Sequence, residues 1–384
     1  MVSHYEVIIV GLGAVGSASL YQLAQRNQRV LGIDRFRPPH SHGSSHGQSR
    51  ITRLAIGEGA HYSPIVIRSH KIWQDLEAKT NHSLLHEVGG LIYGNTTGNG
   101  PTHGVEDFLG TTIAAAQKHG IEHELLEAQA MRERFPLFKF SDTDRGYYEP
   151  TAGYVCPETC IDTQLTCAQK LGAHLALDTV IDRIEQFDDH VRLTSADQTW
   201  TADQVILSAG GWLKSFLPEN VQSTFTIYPQ VQAWYRPQEP APKNFPIFIR
   251  IPNPGDGMLY GFPPLPGDDG AMKVASEQFT QSIPVTQNDV KPTREEVDYL
   301  FETACLAIDF EPGPTHSIRC AYTVTPDQEF VIDRLPERDR ILLASPCSGH
   351  GFKHSAGLGE LIATWCITEE RPKLLAPFSL SRFK

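Results

Sequence analysis

The sequence has no long apolar run, and it has fewer cationic than anionic side chains. Its 33 Lys and Arg residues against 45 Asp and Glu residues give a net charge of −12. A protein that binds a phosphate backbone needs a basic face, so this balance argues against a nucleic-acid partner. A membrane span needs about 20 apolar residues, and the apolar start at 5–10 is too short for a signal peptide. We therefore predict a cytoplasmic protein with small-molecule partners and no membrane partner.

Cysteine is scarce and shows no metal-binding pattern. There are seven cysteines, and the pair Cys156 and Cys160 has no second pair or nearby histidine cluster to complete a zinc site. An odd number of cysteines without such pairing suits a reducing compartment. The sequence therefore predicts no metal site.

The first 34 residues have the pattern of a βαβ unit. An apolar run at 7–10 leads into a turn at Gly11, amphipathic spacing passes through Leu20 and Leu23, and a second apolar run follows at 30–33. The polar, glycine-rich stretch 40–49 predicts a loop. Later patterns predict further elements: helices over 62–76 and 105–119, strands over 88–93, 180–187, 191–194 and 204–207, an antiparallel sheet within 217–275, and a strand at 341–344 followed by a helix.

A nucleotide-binding fingerprint lies inside this βαβ unit. Gly11, Gly13 and Gly16 form G-x-G-x-x-G directly after the first strand, and Asp34 follows 23 positions after Gly11. The glycines allow a tight turn, close approach of a pyrophosphate and close helix packing, while the acid accepts hydrogen bonds from a ribose. The pyrophosphate is favoured at the positive end of the helix. This pattern predicts a dinucleotide but does not distinguish FAD from NAD.

Several ordered motifs further along the chain resemble one family. They are HSHGSSHGQSRITRLAIGEGAHY at 40–62, YGFP at 260–263, RCAYTVTPDQEFVID at 319–333, SGHGFKHS at 348–355 and LSRF at 380–383. Together they resemble the monomeric sarcosine oxidase and N-methyltryptophan oxidase family of flavoproteins over nearly the whole chain. This resemblance implies an α/β fold in which a Rossmann-like FAD-binding domain (1–85, 145–217 and 318–384) joins an α+β substrate domain with an antiparallel sheet (86–144 and 218–317).

The resemblance also implies how the cofactor is held. The first βαβ unit would bind the ADP part of FAD, and Cys320 matches the cysteine that the family bonds to the 8α-methyl group of the flavin. A thiolate can make this bond once cationic neighbours favour the ionised form. Cys347 is a less favoured attachment point. The expected cofactor contacts are Gly11, Gly13, Gly16, Asp34, Ser44, Arg50, Val180, Cys320, Gly351, Phe352 and Lys353.

The same resemblance assigns roles around the substrate. Arg53 and Lys353 match the clamp on the substrate carboxylate, for which a guanidinium fork and an ammonium are suited. Lys273 matches the lysine over the flavin that serves oxygen activation, since a fixed cation stabilises superoxide. The remaining matches are Arg50 and His46, which would place positive charge against the flavin, Glu58, which could hold an arginine, and Tyr260 and Tyr322, which would lie near the substrate.

One position departs from the family pattern. Four residues after Lys273 the family carries a histidine, whereas this chain has Glu277. Glu277 could receive a cationic amine or hydroxyl groups, or it could pair with Lys273. The leading prediction is a monomeric oxidase of N-substituted amino acids with oxygen as acceptor. Glycated amino acid oxidases of the wider superfamily resemble this arrangement, with an acid at this position. The open alternatives are therefore an oxidase of glycated amino acids, an oxidase of cyclic imino acids such as proline or pipecolate, a dehydrogenase on the same fold, and a flavin-bearing protein without turnover.

Overall fold

The computed structural model describes residues 2–95, 102–253, 256–287 and 290–383. The strands in chain order are β1 (Ser3–Val10), β2 (Val30–Ile33), β3 (Arg50–Thr52), β4 (Leu85–Glu87), β5 (Gly90–Asn95), β6 (Glu124–Glu127), β7 (Asp144–Glu149), β8 (Gly153–Val155), β9 (His174–Ala176), β10 (Arg183–Gln186), β11 (Val191–Thr194), β12 (Thr199–Leu207), β13 (Thr226–Tyr235), β14 (Ile247–Arg250), β15 (Leu259–Gly261), β16 (Met272–Ser276), β17 (His316–Val324), β18 (Val331–Leu335) and β19 (Arg338–Ser345).

The helices are α1 (Ala14–Ala24), α2 (Ser63–Thr80), α3 (Phe108–His119), α4 (Ala128–Arg134), α5 (Pro157–Lys170), α6 (Glu219–Gln222), α7 (Arg294–Cys305) and α8 (Ser355–Thr368). Short 3₁₀ turns span Gly210–Phe216, Val285–Gln287, Phe352–His354, Lys373–Phe378 and Leu380–Phe383. Helix α3 begins three residues later than predicted because the Asp107 carboxylate caps it, accepting the backbone N–H of Gly110. The predicted strand 180–187 is likewise shorter, spanning only β10.

The first sheet confirms the predicted βαβ unit. Its order is β10-β11-β12-β1-β2-β9, with β19 also paired to β12 and β18 paired to β19. The pairs β1–β2, β1–β12, β2–β9 and β12–β19 are parallel. Helices α1, α2, α5 and α8 pack together over one face, where the side chains of Val7 and Ile9 are buried. Because both faces of this sheet are covered, β1 is an unbroken apolar run rather than an alternating one.

The second sheet has the order β17-β13-β16-β15-β14-β5-β7-β6. It is antiparallel as predicted except for one parallel pair, β14–β5. The segments β7 and β17 pair in this sheet, although the predicted division of the chain places 145–217 and 318–384 with the nucleotide-binding part. Strand β17 joins it through a register with β13 that runs from Thr226 to Trp234. Local sequence patterns do not reveal such pairing between distant strands.

A small third sheet has the order β3-β8-β4. Strand β3 pairs antiparallel with β8, with Arg50 opposite Val155 and Thr52 opposite Gly153. Arg53 follows β3 directly. Two of the residues predicted to act at the cofactor and substrate are therefore fixed by one short strand.

Candidate active site

A large cavity of about 430 Å³ opens at the carboxyl ends of β1, β2 and β19. Its volume lies in the range of small-molecule sites. We call it the larger cavity. The predicted cofactor contacts that border it are Gly11, Gly13, Asp34, Ser44, Arg50, Val180, Gly351 and Phe352.

The glycine turn has the shape that a pyrophosphate requires. Gly11 has a φ of +92°, and a Cβ there would lie 2.5 Å from the carbonyl oxygen of Ser208. A Cβ on Gly16 would lie 1.9 Å from the carbonyl oxygen of Gly11, so this position lets α1 pack closely on the strand. At Gly13 the nearest such atom is 4.0 Å away, which leaves the start of α1 open to the cavity. The free N–H groups of that first turn suit a diphosphate.

Asp34 is held in place at the edge of the same cavity. Its carboxylate accepts the backbone N–H of Leu12 at 2.7 Å and that of Phe36 at 2.9 Å. His40 Nε2 lies 3.6 Å from it. The aspartate is thus oriented by its own βαβ unit, and its remaining lone pairs suit ribose hydroxyls. The glycines, the helix terminus and this acid together fit the FAD that the sequence predicts.

A smaller cavity adjoins the larger one, and Arg50, Tyr322, Gly349 and Phe352 border both. It brings together residues from distant parts of the chain. Its polar lining consists of Arg53, Glu58, His103, Tyr260, Glu277, His350 and Lys353, and its apolar lining includes Ile51, Phe108, Ile249 and Met258.

A buried charge cluster forms one end of the smaller cavity. Arg53 Nη2 donates to Glu58 Oε2 at 2.5 Å, and Lys353 Nζ donates to Glu58 Oε1 at 3.2 Å and to the carbonyl oxygen of His350 at 2.9 Å. Burial alone would raise the pKa of Glu58, but Arg53 and Lys353 hold that pKa well below its usual range. Two cations share one carboxylate, so the cluster keeps a net positive charge that suits a substrate anion.

The pKa of Lys353 predicts how anion binding depends on pH. Burial lowers this pKa to about 8, although Glu58 opposes the shift. The ammonium is therefore present below pH 8 and lost above it. We expect the affinity of the flavin-loaded enzyme for (methylthio)acetate, a carboxylate without an amine, to fall by about tenfold between pH 7 and 9.5. Titrations followed by flavin absorbance measure it, and Lys353→Met should give a flat profile. A flat wild-type profile would contradict the assignment.

Glu149 fixes the backbone that follows Arg53. Its Oε1 accepts the N–H of Leu54 at 2.6 Å, and its Oε2 accepts the N–H of Ala55 at 3.1 Å and the hydroxyl of Tyr147 at 2.9 Å. The residue is fully buried. A buried carboxylate that holds two successive backbone N–H groups limits the movement of the neighbouring guanidinium.

Glu149→Gln should therefore weaken carboxylate binding. An amide offers only one acceptor, so its NH₂ group would face a backbone N–H and displace the segment that carries Arg53. We expect the dissociation constant of (methylthio)acetate to rise about tenfold, with a much smaller change for (methylthio)acetamide. Tyr147→Phe, which removes one hydrogen bond but leaves the backbone held, is the matched control. An equal weakening of both ligands would indicate general disruption instead.

Lys273 lies beneath the loop that carries Arg50. Its Nζ donates to the carbonyl oxygens of Gly47 at 2.8 Å and Ser49 at 2.7 Å, and lies 4.1 Å from the ring centre of Phe262. Burial, and then the nearby Arg50, lower its pKa well below the usual range. The structure thus places Lys273 behind the wall between the two cavities.

The predicted charge of His46 needs correction. Burial, reinforced by Arg50, lowers its pKa to about 4, so the imidazole is neutral at physiological pH. Positive charge at this wall comes from Arg50, whose guanidinium donates to the carbonyl oxygens of Ser44 at 2.7 Å and Ser49 at 2.8 Å. His46 contributes packing in the same loop rather than charge.

The two candidate attachment cysteines occupy different environments. Cys320 is fully buried and its sulfur accepts a hydrogen bond from Gln232 Nε2 at 3.3 Å. Burial raises the pKa of its thiol, which Arg50 and Lys273 oppose. Cys347 borders the larger cavity and accepts the backbone N–H of Thr323 at 3.2 Å.

Glu277 pairs with a residue that the sequence did not single out. Its Oε2 lies 3.3 Å from His103 Nε2, and both side chains are 5% exposed. The possible pairing with Lys273 is therefore replaced by one with His103. No motif pointed to His103 or to Glu149, because the importance of each comes from contacts with residues far away in the chain. Tyr260 and Tyr322 both border the smaller cavity, and their hydroxyls lie 3.1 Å apart.

Two negative findings apply to the described residues alone. Among them, no helix is both long and apolar enough to cross a membrane. Within the same ranges, no group of three or more His, Cys, Asp or Glu side chains is arranged to hold a metal ion. The seven cysteines, all of which lie in the described part of the chain, are free.

Comparison with known proteins gives a consistent result. The chain is 33% identical over 398 residues to the monomeric sarcosine oxidase of Bacillus sp. (strain B-0618), covering 100% of this chain and 97% of that one. It is 32% identical over 389 residues to the N-methyl-L-tryptophan oxidase of Yersinia pestis (strain Pestoides F), covering 99% and 100%. The fold matches that of NikD, an unusual amino acid oxidase essential for nikkomycin biosynthesis, with a TM-score of 0.83 at 22% identity, covering 98% and 97%.

These relatives confirm the resemblance inferred from the motifs. The family described as FAD dependent oxidoreductase matches residues 6–365, which include the glycine turn, the third sheet and the cluster around Lys353. With the cavity at the end of the first sheet and the charged cavity beside it, the chain belongs to the FAD-dependent oxidoreductase family.

Proposed function

We propose that the protein oxidises the C–N bond of an N-substituted amino acid to an imine, which water hydrolyses, and reduces oxygen to hydrogen peroxide. One observation carries this proposal. The cluster of Arg53, Glu58 and Lys353 is buried and positively charged, and Arg53 Nε has no hydrogen-bond partner within the described ranges. A buried donor without a partner is costly, so the cluster is suited to bind a carboxylate.

The side chains of the smaller cavity hold and orient the substrate. Bound FAD supplies the capacity to accept a hydride equivalent and to return two electrons to oxygen. Arg53 and Lys353 hold the carboxylate. The rest of the amino acid then faces the wall that the two cavities share. Ile51, Phe108, Ile249 and Met258 exclude water from this space. Fixed geometry of this kind supplies much of the catalytic effect in such reactions.

A substrate panel tests the proposal. Peroxide should be released with at least one of sarcosine, other N-methyl amino acids, proline, pipecolate and fructosyl amino acids. Release with proline, with pipecolate or with a fructosyl amino acid would select one of the alternative oxidases. Dye reduction without peroxide would favour a dehydrogenase, and no reaction with any compound would reject the proposal. The retained Arg53, Lys353 and Lys273 argue against a protein without turnover.

We further propose that FAD is bonded through Cys320. Side chains two apart on a strand share a face, so Cys320 lies on the same face of β17 as Tyr322, which borders both cavities. The cations Arg50 and Lys273 nearby favour its thiolate. After denaturation and filtration, the yellow colour should stay with the wild-type chain and with Cys347→Ser but pass through the filter with Cys320→Ser. Retention in Cys320→Ser and loss in Cys347→Ser would assign Cys347 instead.

We also propose that the enzyme is a monomer in the cytoplasm. Relatives that are named monomeric support a monomer, and free cysteines suit the reducing conditions of the cytoplasm. Light scattering of the purified protein measures the mass directly, and a dimer would contradict this proposal.

A further inference from the structure

The His103–Glu277 pair forms a second polar patch in the smaller cavity, apart from the Arg53 cluster. Glu277 follows the last residue of β16, and His103 lies between Thr102 and Val105, which form an isolated antiparallel bridge. Both side chains border the cavity and both are almost fully buried. Burial would lower the pKa of His103, but Glu277 raises it above its ordinary value. The two therefore form an ion pair rather than a free carboxylate.

The charges around the cavity limit what the pair can accept. Among the described side chains that border only this cavity, Arg53, Lys353 and His103 are cationic and Glu58 and Glu277 are anionic. His350 is neutral, because burial lowers its pKa well below the ordinary value. Arg50 is a further cation, but it lies at the wall shared with the larger cavity, where its guanidinium donates to the carbonyl oxygens of Ser44 and Ser49. Away from that wall, three cations less two carboxylates leave one positive charge, which one substrate carboxylate balances. A second carboxylate or a permanent cation in the substrate would leave a buried charge without a counter-charge.

The hydrogen-bonding groups of this patch are not all used. His103 Nδ1 is buried and finds no partner in the part of the chain that the structure describes. The hydroxyls of Tyr260 and Tyr322 border the same cavity. A hydrocarbon placed here would leave polar groups unsatisfied, whereas a hydroxyl can both donate and accept.

We propose that the His103–Glu277 pair is a specificity site for a neutral hydroxyl group in the part of the substrate beyond its amine. The inference rests on the proposed function for the reaction itself. The paired Glu277 differs in this respect from an unpaired carboxylate at position 277, which would attract a cation.

Matched substrates test this selection. N-(2-Hydroxyethyl)glycine and N-propylglycine are similar in size and differ by a hydroxyl in place of a methyl group. We expect the wild-type holoenzyme to prefer the first by at least about tenfold in kcat/KM, because a site that hydrogen-bonds a hydroxyl discriminates against its hydrocarbon analogue. N-(2-Aminoethyl)glycine and N-(carboxymethyl)glycine should both be poor substrates.

Removing His103 and removing Glu277 should shift the preference for the charge of the substituent in opposite directions. His103→Asn keeps a residue that tolerates the φ of +49° and leaves Glu277 as a free carboxylate, so the aminoethyl compound should gain most. In Glu277→Gln the pKa of His103 falls because burial is less opposed, and a carboxymethyl group bound there would restore the imidazolium as its counter-ion, so the carboxymethyl compound should gain most. His61→Asn is the matched control, because His61 pairs with Glu329 at 3.3 Å on a partly exposed surface.

The result can be separated from a failure of the proposed function. (2-Hydroxyethylthio)acetate and (propylthio)acetate lack the amine, and their binding to the holoenzyme is measured through flavin absorbance without turnover. Tenfold tighter binding of the hydroxyl compound, lost in both variants but kept in His61→Asn, supports the pair even if no amine is oxidised. Equal binding of the two ligands, or the same rank of substituents in all variants, would overturn it.

Discussion

Replacing Arg53 with methionine should lower kcat/KM for an N-methyl amino acid by about 100- to 1,000-fold, the loss expected when a buried charge pair is truncated. Without the guanidinium, Lys353 and Glu58 still pair at 3.2 Å and cancel each other's charge. The smaller cavity then has no net charge at this end with which to attract a carboxylate. We expect most of the effect in KM, because the lost contact exists before and during the reaction.

Two companion variants sharpen this test. Arg53→Lys keeps the charge but loses the planar fork, so it should recover only part of the activity. Arg183→Met, which removes an exposed arginine paired with Glu185 at 3.4 Å, should behave as wild type. The dissociation constant of (methylthio)acetate should rise in parallel with KM. A fall in kcat at unchanged KM would show that Arg53 does not bind the carboxylate.

Lys273→Met should slow the oxygen-consuming half-reaction by about 100-fold or more, the effect typical of a lost electrostatic contact in a dry site. The amine-consuming half-reaction should change little. Two N–H groups of Lys273 are occupied by the carbonyl oxygens of Gly47 and Ser49. Burial lowers the pKa of Lys273 well below its usual range, and the anion that forms when oxygen takes its first electron opposes that shift by favouring the ammonium, whose third N–H can then stabilise the anion.

Stopped-flow absorbance separates the two half-reactions. Anaerobic mixing with substrate gives the rate of flavin reduction, and mixing the reduced enzyme with oxygen gives the rate of reoxidation. Lys139→Met is a fitting control, because Lys139 Nζ also donates to a carbonyl oxygen, that of Cys305 at 2.9 Å, but near the protein surface. Equal losses in both half-reactions would refute the role assigned to Lys273.

The sequence predicted the motifs whose residues are close together in the chain and the site residues that match those of a known family. Gly11, Gly13, Gly16 and Asp34 lie within one βαβ unit, so their spacing alone predicts their arrangement. Arg53 and Lys353 are 300 positions apart in the chain. Their shared role at one site was therefore predicted from the resemblance to a family and not from local spacing.

The residues that the sequence missed act through tertiary contacts. Glu149 matters because β7 brings it to the backbone after Arg53, and His103 matters because its side chain pairs directly with that of Glu277. The charge of His46 was misjudged because burial, which a motif does not display, sets its pKa. Pairing of β7 and β17 in the second sheet likewise depends on contacts between strands that are distant in the chain.

The side-by-side placement of β1, β12 and β19 has a consequence for synthesis on the ribosome. The larger cavity needs Gly11 from the first strand and Gly351 after the last, and Glu58 acquires its second cation only when Lys353 is present. A nascent chain shorter than about 355 residues therefore lacks a complete site, whatever parts of it have already folded. The site is therefore assembled only after the residues around Lys353 have been synthesised.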